Sequence, residues 1–273
     1  MLKQRVFTAL VLVPLVVWAL FRLPTWGLAI LLGIFVLGAA WEWSALAGLK
    51  RTGARAGYVL ALAVLGYVGL LVDRTVVIAL GVAWWAWALA EMSLFKQLDR
   101  GLLRSRAGKL VAGALVLIPA RVASLHLHAV DPRTPWALLF LFVLVWSADS
   151  AAYFVGKRFG RHKIAPHISP GKSYQGLFGA MGAVLVLAAL SGRFIFGYTG
   201  GALLMWICVA LLATLFSLVG DLMESRIKRI AGVKDSGNLL PGHGGICDRI
   251  DGFTAAAPVF AVGMLPLLPG WGA

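Results

Sequence analysis

Thr199-Gly-Gly-Ala-Leu-Leu-Met-Trp-Ile-Cys-Val-Ala-Leu-Leu-Ala-Thr-Leu-Phe-Ser-Leu-Val-Gly220 contains no Asp, Glu, Lys, Arg or His. A helix of about 20 predominantly apolar residues crosses the ~30 Å hydrocarbon core of a bilayer, and this stretch has that length. Eight other windows read the same way, near 6–22, 26–49, 57–73, 75–95, 108–126, 134–156, 176–197 and 252–271. Hydrophobic residues make up 60% of the 273-residue chain and charged residues only 13%. The mean hydropathy is +0.88. So many apolar side chains exceed what one soluble core could bury. The expected fold is an all-α, polytopic integral membrane bundle of about nine transmembrane helices.

The basic residues orient it, because cytoplasmic loops retain Lys and Arg. With the N-terminus inside, the cytoplasmic segments hold Lys3 and Arg5; Lys50, Arg51 and Arg55; Lys96, Arg100, Arg104, Arg106 and Lys109; Lys157, Arg158, Arg161, Lys163 and Lys172; and Arg226, Lys228, Arg229, Lys234 and Arg249. Arg22, Arg74, Arg121, Arg133 and Arg193 fall at or near the outer ends. Nine helices with the C-terminus outside follow. The net charge of +14 could suggest a nucleic-acid partner. Spread over five membrane-flanking segments, these charges read instead as orientation and attraction to anionic lipid, so no nucleic acid is expected.

The first window, after Met-Leu-Lys-Gln-Arg, looks like a signal peptide. No small-x-small cleavage site follows Phe21-Arg22-Leu23-Pro24, and more helices come after, so it reads as a retained helix. Of the two cysteines, Cys208 falls inside a span and Cys247 outside one, which argues against a structural disulfide and a zinc site. The chain divides into an N-terminal set of about five helices (1–126) and a C-terminal set (127–273) carrying the polar motifs.

The informative segment follows Gly220. Asp221, Glu224, Ser225 and Lys228 stand at i, i+3, i+4 and i+7, one helical face if the eighth helix continues past the membrane. In a soluble helix such a stripe is usually a solvated face. Here it starts at the membrane surface and runs into Gly232–Gly245, a glycine-rich loop whose backbone can approach a ligand closely. Within Gly242-His243-Gly244-Gly245, His243 could donate to a phosphate oxygen, shuttle a proton or cap the turn. Asp248 and Asp251, at i and i+3, open the last helix and can face one way. Carboxylates at the mouth of a bundle suit Mg²⁺, which combines one or two of them with substrate phosphates. The plain alternative is that Asp248 pairs with Arg249 or Lys228.

A second polar block lies upstream. Asp149, in Trp146-Ser147-Ala148-Asp149-Ser150, sits inside the sixth helix about 10 Å short of its end. An intramembrane Asp costs roughly 2.5 to 3.5 kcal/mol on insertion scales and normally marks a site or faces a cavity. It could be a metal ligand, orient a basic partner such as Lys172, or make a structural helix-to-helix hydrogen bond. Beyond it, Ser169-Pro170-Gly171-Lys172-Ser173 superficially suggests a phosphate loop. That reading fails, because Pro166 stands where a P-loop needs its first glycine and no strand precedes it. Glu42 and Glu91 lie toward the cytoplasmic ends of their helices, where they could reach the interface or meet a loop arginine. His126 and His128 read as a polar turn on the other side, and Trp84, Trp85 and Trp87 as interface anchors and packing residues.

Ser225-x-x-Lys228-Arg229, Lys234-Asp235-x-Gly237 and Leu240-Pro241-Gly242-His243-Gly244-Gly245-x-x-Asp248-Arg249-x-Asp251 together resemble the signature of the phosphatidate cytidylyltransferases (CDP-diacylglycerol synthases). Ser169, Pro170, Lys172, Ser173 and Gly176 resemble the family's second block, with Tyr174 and Gln175 where Trp and often Glu occur. The likeness is strong over 146–252 and elsewhere rests on hydropathy alone. It implies attack of the phosphate of phosphatidic acid on the α-phosphorus of CTP, giving CDP-diacylglycerol and pyrophosphate. It also implies Mg²⁺ dependence helped by a monovalent cation such as K⁺, a homodimer, and a bacterial inner membrane with the site facing the cytoplasm. On this reading Asp221, Asp248, Lys228 and Lys172 are catalytic, and Asp221, Asp248, Asp251 and Asp149 hold metal. Ser169, Lys172, Ser225, Lys228, Arg229, Lys234, Asp235, His243, Gly244, Gly245 and Arg249 bind substrate. A CTP-dependent lipid or polyprenol kinase would share a basic, Asp-rich mouth. A membrane transporter would instead spread its polar groups across the bilayer, whereas these cluster on one side.

Overall fold

The computed structural model describes residues 13–94, 101–129, 134–239 and 244–267. Among the described residues nine α-helices follow one another: α1 (Val13–Arg22), α2 (Thr25–Leu46), α3 (Thr52–Leu71), α4 (Arg74–Leu94), α5 (Arg106–Ala129), α6 (Thr134–Phe159), α7 (Tyr174–Phe194), α8 (Gly200–Ile230) and α9 (Cys247–Gly263). They match the nine apolar windows. Helices α2 to α8 are long and apolar enough to cross a membrane, and the protein is a polytopic membrane helix bundle. Two helix starts carry side-chain caps. Asp73 accepts from the Thr75 amide at the start of α4 (2.8 Å), and Ser173 caps α7 by accepting from the Gly176 amide at 3.2 Å.

The bounds differ from the hydropathy windows at the polar ends. Helix α8 runs on to Ile230, which places Asp221, Glu224, Ser225 and Lys228 on a single helix. Helix α9 starts at Cys247 and ends at Gly263, earlier than the window at 252–271, because its first turn is polar and hydropathy does not register it. His126 and His128 do not form a turn, since α5 continues through both. His128 instead lies 3.1 Å from Thr25 Oγ1 and 3.0 Å from the Leu20 carbonyl, tying α5 to the α1–α2 junction.

Helix α9 is the packing hub, set against α8, α5, α4 and α6. Its run Thr254–Pro258 is almost wholly inaccessible, with Ala255, Ala256 and Ala257 at 0%. Small side chains let helix backbones approach closely where lipid offers no hydrophobic drive for association. Gly220 completes that approach on α8: a Cβ there would collide with the Asp251 carbonyl and lie 2.9 Å from the Ala255 methyl. One buried cluster includes Leu20, Leu28, Phe140, Trp206 and Phe260, and a second includes Trp43, Trp85, Leu117, Met223 and Cys247. Trp85 is buried, donating to the Thr254 carbonyl at 3.2 Å, so it packs rather than anchors. Trp26, Ile34, Phe154, Phe178 and Phe194 face outward, an apolar exterior suited to acyl chains.

Charged groups gather at one end of the bundle, where α2, α4, α6 and α8 finish and α3, α5, α7 and α9 begin. There the segment between α6 and α7 folds as a two-stranded antiparallel hairpin, β1 (Lys163–Ala165) and β2 (Ser169–Ser173), pairing Lys163 with Ser173 and Ala165 with Ser169. Strands this short give no readable alternation in sequence. Gln175 clasps the hairpin's base: its Oε1 accepts from the amides of Arg161 (3.1 Å) and His162 (3.2 Å), and its Nε2 lies 3.0 Å from His162 Nδ1.

Candidate active site

The hairpin delivers Lys172 to α8, where its ammonium forms an ion pair with Asp221. Ser225, one turn on, donates to Asp221 Oδ1 at 3.3 Å. Asp149 of α6 lies within the field of both Asp221 and Lys172. The two polar blocks, more than 40 residues apart in sequence, are thus one cluster.

A second knot lies one turn further along α8. Lys228 reaches Glu224 at 3.2 Å and Asp248 Oδ1 at 2.6 Å, joining α8 to the first turn of α9. Asp248 Oδ2 accepts from the Ser236 amide, the Ser236 hydroxyl and the Gly245 amide, each at 3.0 Å. Burial alone would push the Asp248 carboxyl up. The Lys228 hydrogen bond, the Ser236 and Gly245 amides and the Lys228 charge outweigh it and hold the carboxyl below the ordinary carboxylate range. The Asp248–Lys228 pairing weighed as the plain alternative is therefore present, and it is part of a larger network. Burial, and after it the neighbouring Glu224 and Asp221 carboxylates, push the Asp251 carboxyl well up, against the Gly252 amide, from which its Oδ1 accepts at 2.8 Å, and the Lys172 charge.

The remaining sequence candidates take varied places. Arg229 donates from Nε to the Ile168 carbonyl (3.3 Å) and from Nη1 to the Val233 carbonyl (3.4 Å), bracing the hairpin against the loop after α8. Lys234, Asp235 and Arg249 are exposed at the mouth, and Ser169 opens β2. Gly244 has a φ of +83°, a left-handed conformation that glycine adopts without a Cβ penalty. His243 lies outside the described residues.

Sequence reasoning underrated three residues. Glu42 accepts from the Ser236 hydroxyl (3.2 Å) and the Cys247 amide (3.0 Å). Ser236 had only its place in a loop to mark it. Arg226, counted among the orienting charges, is wholly buried, with Nη1 3.8 Å from Glu91 Oε1. Glu91 in turn accepts from the Leu102 amide at 2.9 Å.

Among the described residues no three His, Cys, Asp or Glu side chains converge as a ready-made metal cage. The donor set is nevertheless hard oxygen, and Asp221 is a third exposed. One or two such carboxylates, completed by phosphate oxygens and water, are what Mg²⁺ ordinarily takes.

Comparison with known proteins agrees with this chemistry. The chain is 42% identical over 275 residues to a Pseudomonas aeruginosa protein named phosphatidate cytidylyltransferase, covering 100% of each chain. It is 36% identical over 286 residues to the Haemophilus influenzae protein of that name, covering 96% of this chain and 98% of the relative. A Brucella suis biovar 1 protein of the same name is 34% identical over 261 residues, covering 94% and 90% respectively. Residues 3–265 match the sequence model described as the cytidylyltransferase family, and the chain belongs to that family.

Proposed function

We propose that the protein transfers CMP from CTP to phosphatidic acid, forming CDP-diacylglycerol and pyrophosphate. A phosphate oxygen of phosphatidic acid attacks the α-phosphorus of CTP, and the bond from that phosphorus to the β-phosphate oxygen breaks as pyrophosphate leaves. The observation that carries the reading is the Lys172–Asp221 pair, which joins the two polar blocks at one charged mouth, in a chain of this family. Both reactants are anions, so the protein's task is charge neutralisation and alignment.

In this reading Lys172 and Lys228 exchange part of their carboxylate contact for substrate phosphate, while the exposed Lys234 and Arg249 meet the incoming triphosphate. The turn at Gly244 lets the backbone approach phosphate while the Gly245 amide holds Asp248, and Ser225 holds the Asp221 carboxylate in place. Asp221 and Asp248 would hold Mg²⁺, with Asp251 and Asp149 beside them. Bound there, Mg²⁺ supplies neutralising charge for the triphosphate. The clustering of Lys and Arg at this end supports a cytoplasm-facing site in a bacterial inner membrane. The homodimer and the help of a monovalent cation such as K⁺ rest on the family resemblance.

The test is product analysis. Purified protein given phosphatidic acid and CTP labelled at the α-phosphorus should form CDP-diacylglycerol and pyrophosphate in equal amounts, both lost on adding a chelator. Release of CDP with a newly phosphorylated lipid would replace this reading with a kinase. No turnover with either substrate set would favour transport.

A further inference from the structure

One buried carboxylate at the mouth is unused by the scheme above. Glu42, near the end of α2, is 3% exposed and belongs to the N-terminal helices, otherwise read as scaffold. Its Oε2 takes the Ser236 hydroxyl at 3.2 Å and the Cys247 amide at 3.0 Å. Residues 236 and 247 are the two ends of the segment that carries the glycine turn. A single side chain on α2 therefore pins both ends of that loop.

The surroundings are shaped to this carboxylate. A Cβ on Gly237 would lie 2.5 Å from Glu42 Oε1, and one on Gly245 would lie 2.5 Å from Oε2, so glycine at both positions makes room for it. Burying a carboxylate is costly, and an apolar side chain would pack α2 against α9 without that cost. Ser236 also links Glu42 to Asp248. Its hydroxyl lies 3.2 Å from Glu42 Oε2 and 3.0 Å from Asp248 Oδ2, and it accepts from the Asp248 amide at 3.3 Å. A hydroxyl has one proton to give. The two carboxylates therefore share one donor, and moving one changes the hydrogen bonding of the other.

We infer that Glu42 is a positioning residue for nucleotidyl transfer, acting through Ser236 and the first amide of α9 to hold Asp248, and with it Lys228, in register. The inference rests on the function proposed above. It differs from a simple fastening of α2 to α9, which would need only the Cys247 contact and would act on stability alone.

The experiment compares full-length wild type, Glu42→Gln, Ser236→Ala and the double variant in one preparation. It reads kcat, KM for both substrates, thermal unfolding, and amide hydrogen exchange over 236–248. Glu42→Gln is isosteric and keeps an acceptor for Cys247, so it carries the test even if Glu42→Ala does not fold. The expected result is a melting temperature close to wild type and faster exchange confined to the loop. With it comes a fall in kcat on the order of tenfold, the scale for a partner that orients a reacting group. The double variant should fall little further than the worse single variant, since both act on Asp248. Unchanged kcat and exchange in Glu42→Gln would overturn the inference, as would effects that simply multiply with those of Ser236→Ala. If wild type made no liponucleotide, the functional reading would fail, and loop exchange would still decide whether Glu42 holds the loop.

Discussion

Lys228 Nζ lies 2.6 Å from Asp248 Oδ1 and 3.2 Å from Glu224 Oε1, so one ammonium holds two carboxylates on two helices. The two partners are not equivalent. Glu224 is 2% exposed, and without Lys228 it loses the ammonium that faces it in the interior. Lys228→Met should therefore destabilise the bundle more than Asp248→Asn, by about 3 to 5 kcal/mol, the range for breaking a buried pair. Thermal unfolding in detergent checks the order. Asp248→Asn should leave the protein inserted but lower turnover by at least ~10²-fold, the scale for losing a principal electrostatic contributor. Near-normal turnover would remove Asp248 from the site.

The depressed Asp248 carboxyl has a consequence for pH. A group whose folded value lies below its unfolded value of about 3.9 adds stability above that pH and loses it as pH falls through the folded value. The stability gap between wild type and Asp248→Asn should thus be full at neutral pH and close below about pH 4. Unfolding curves of both proteins across that range decide it. A gap that stays constant would show that the Asp248 network does not depend on its charge.

Arg226 and Glu91 make the mouth's most buried ion pair, with side chains 0% and 3% exposed. Glu91 also accepts from the Leu102 amide, so the pair fixes the segment before α5 to α8. Arg226→Met leaves a buried carboxylate uncompensated and should cost about 3 to 5 kcal/mol, whereas Arg226→Met with Glu91→Leu should recover much of that loss. Melting temperatures of the two variants check this. A double variant no more stable than the single would show that the arginine acts through its other contacts.

Much of the fold is legible in the sequence alone. Each of the nine windows meets a helix among the described residues, because a helix in lipid or in the packed interior of a bundle must be apolar over most of its length, a signal that needs no tertiary knowledge. Asp221, Ser225 and Lys228 were legible as one stripe because helical periodicity is local. Contacts made by the fold were hidden. Glu42 and Ser236 are 194 residues apart, and no local pattern in Ala40-Trp41-Glu42-Trp43 announces a partner. Arg226 sits beside Lys228 and Arg229, and composition cannot separate a buried arginine from exposed neighbours. The hairpin at 163–173 was missed because strands of three and five residues flanked by Pro and Gly look like any loop. Of the two grounds for excluding a P-loop there, the missing preceding strand does not hold, since β1 (Lys163–Ala165) precedes the block, and Pro166 at the first glycine position remains.

The central claim is that the hairpin and the α8–α9 mouth form one reaction site through Lys172 and Asp221. The most direct measurement is a double-mutant cycle in kcat with Lys172→Ala and Asp221→Asn. If both act on one charge-balanced unit, the double variant should lose clearly less in log kcat than the sum of the single losses. Lys172→Arg should recover only part of the loss, because a guanidinium fork does not replace a compact ammonium. Fully additive effects, with KM for CTP and phosphatidic acid unchanged in Lys172→Ala, would contradict the account and leave the hairpin's charge to orientation alone.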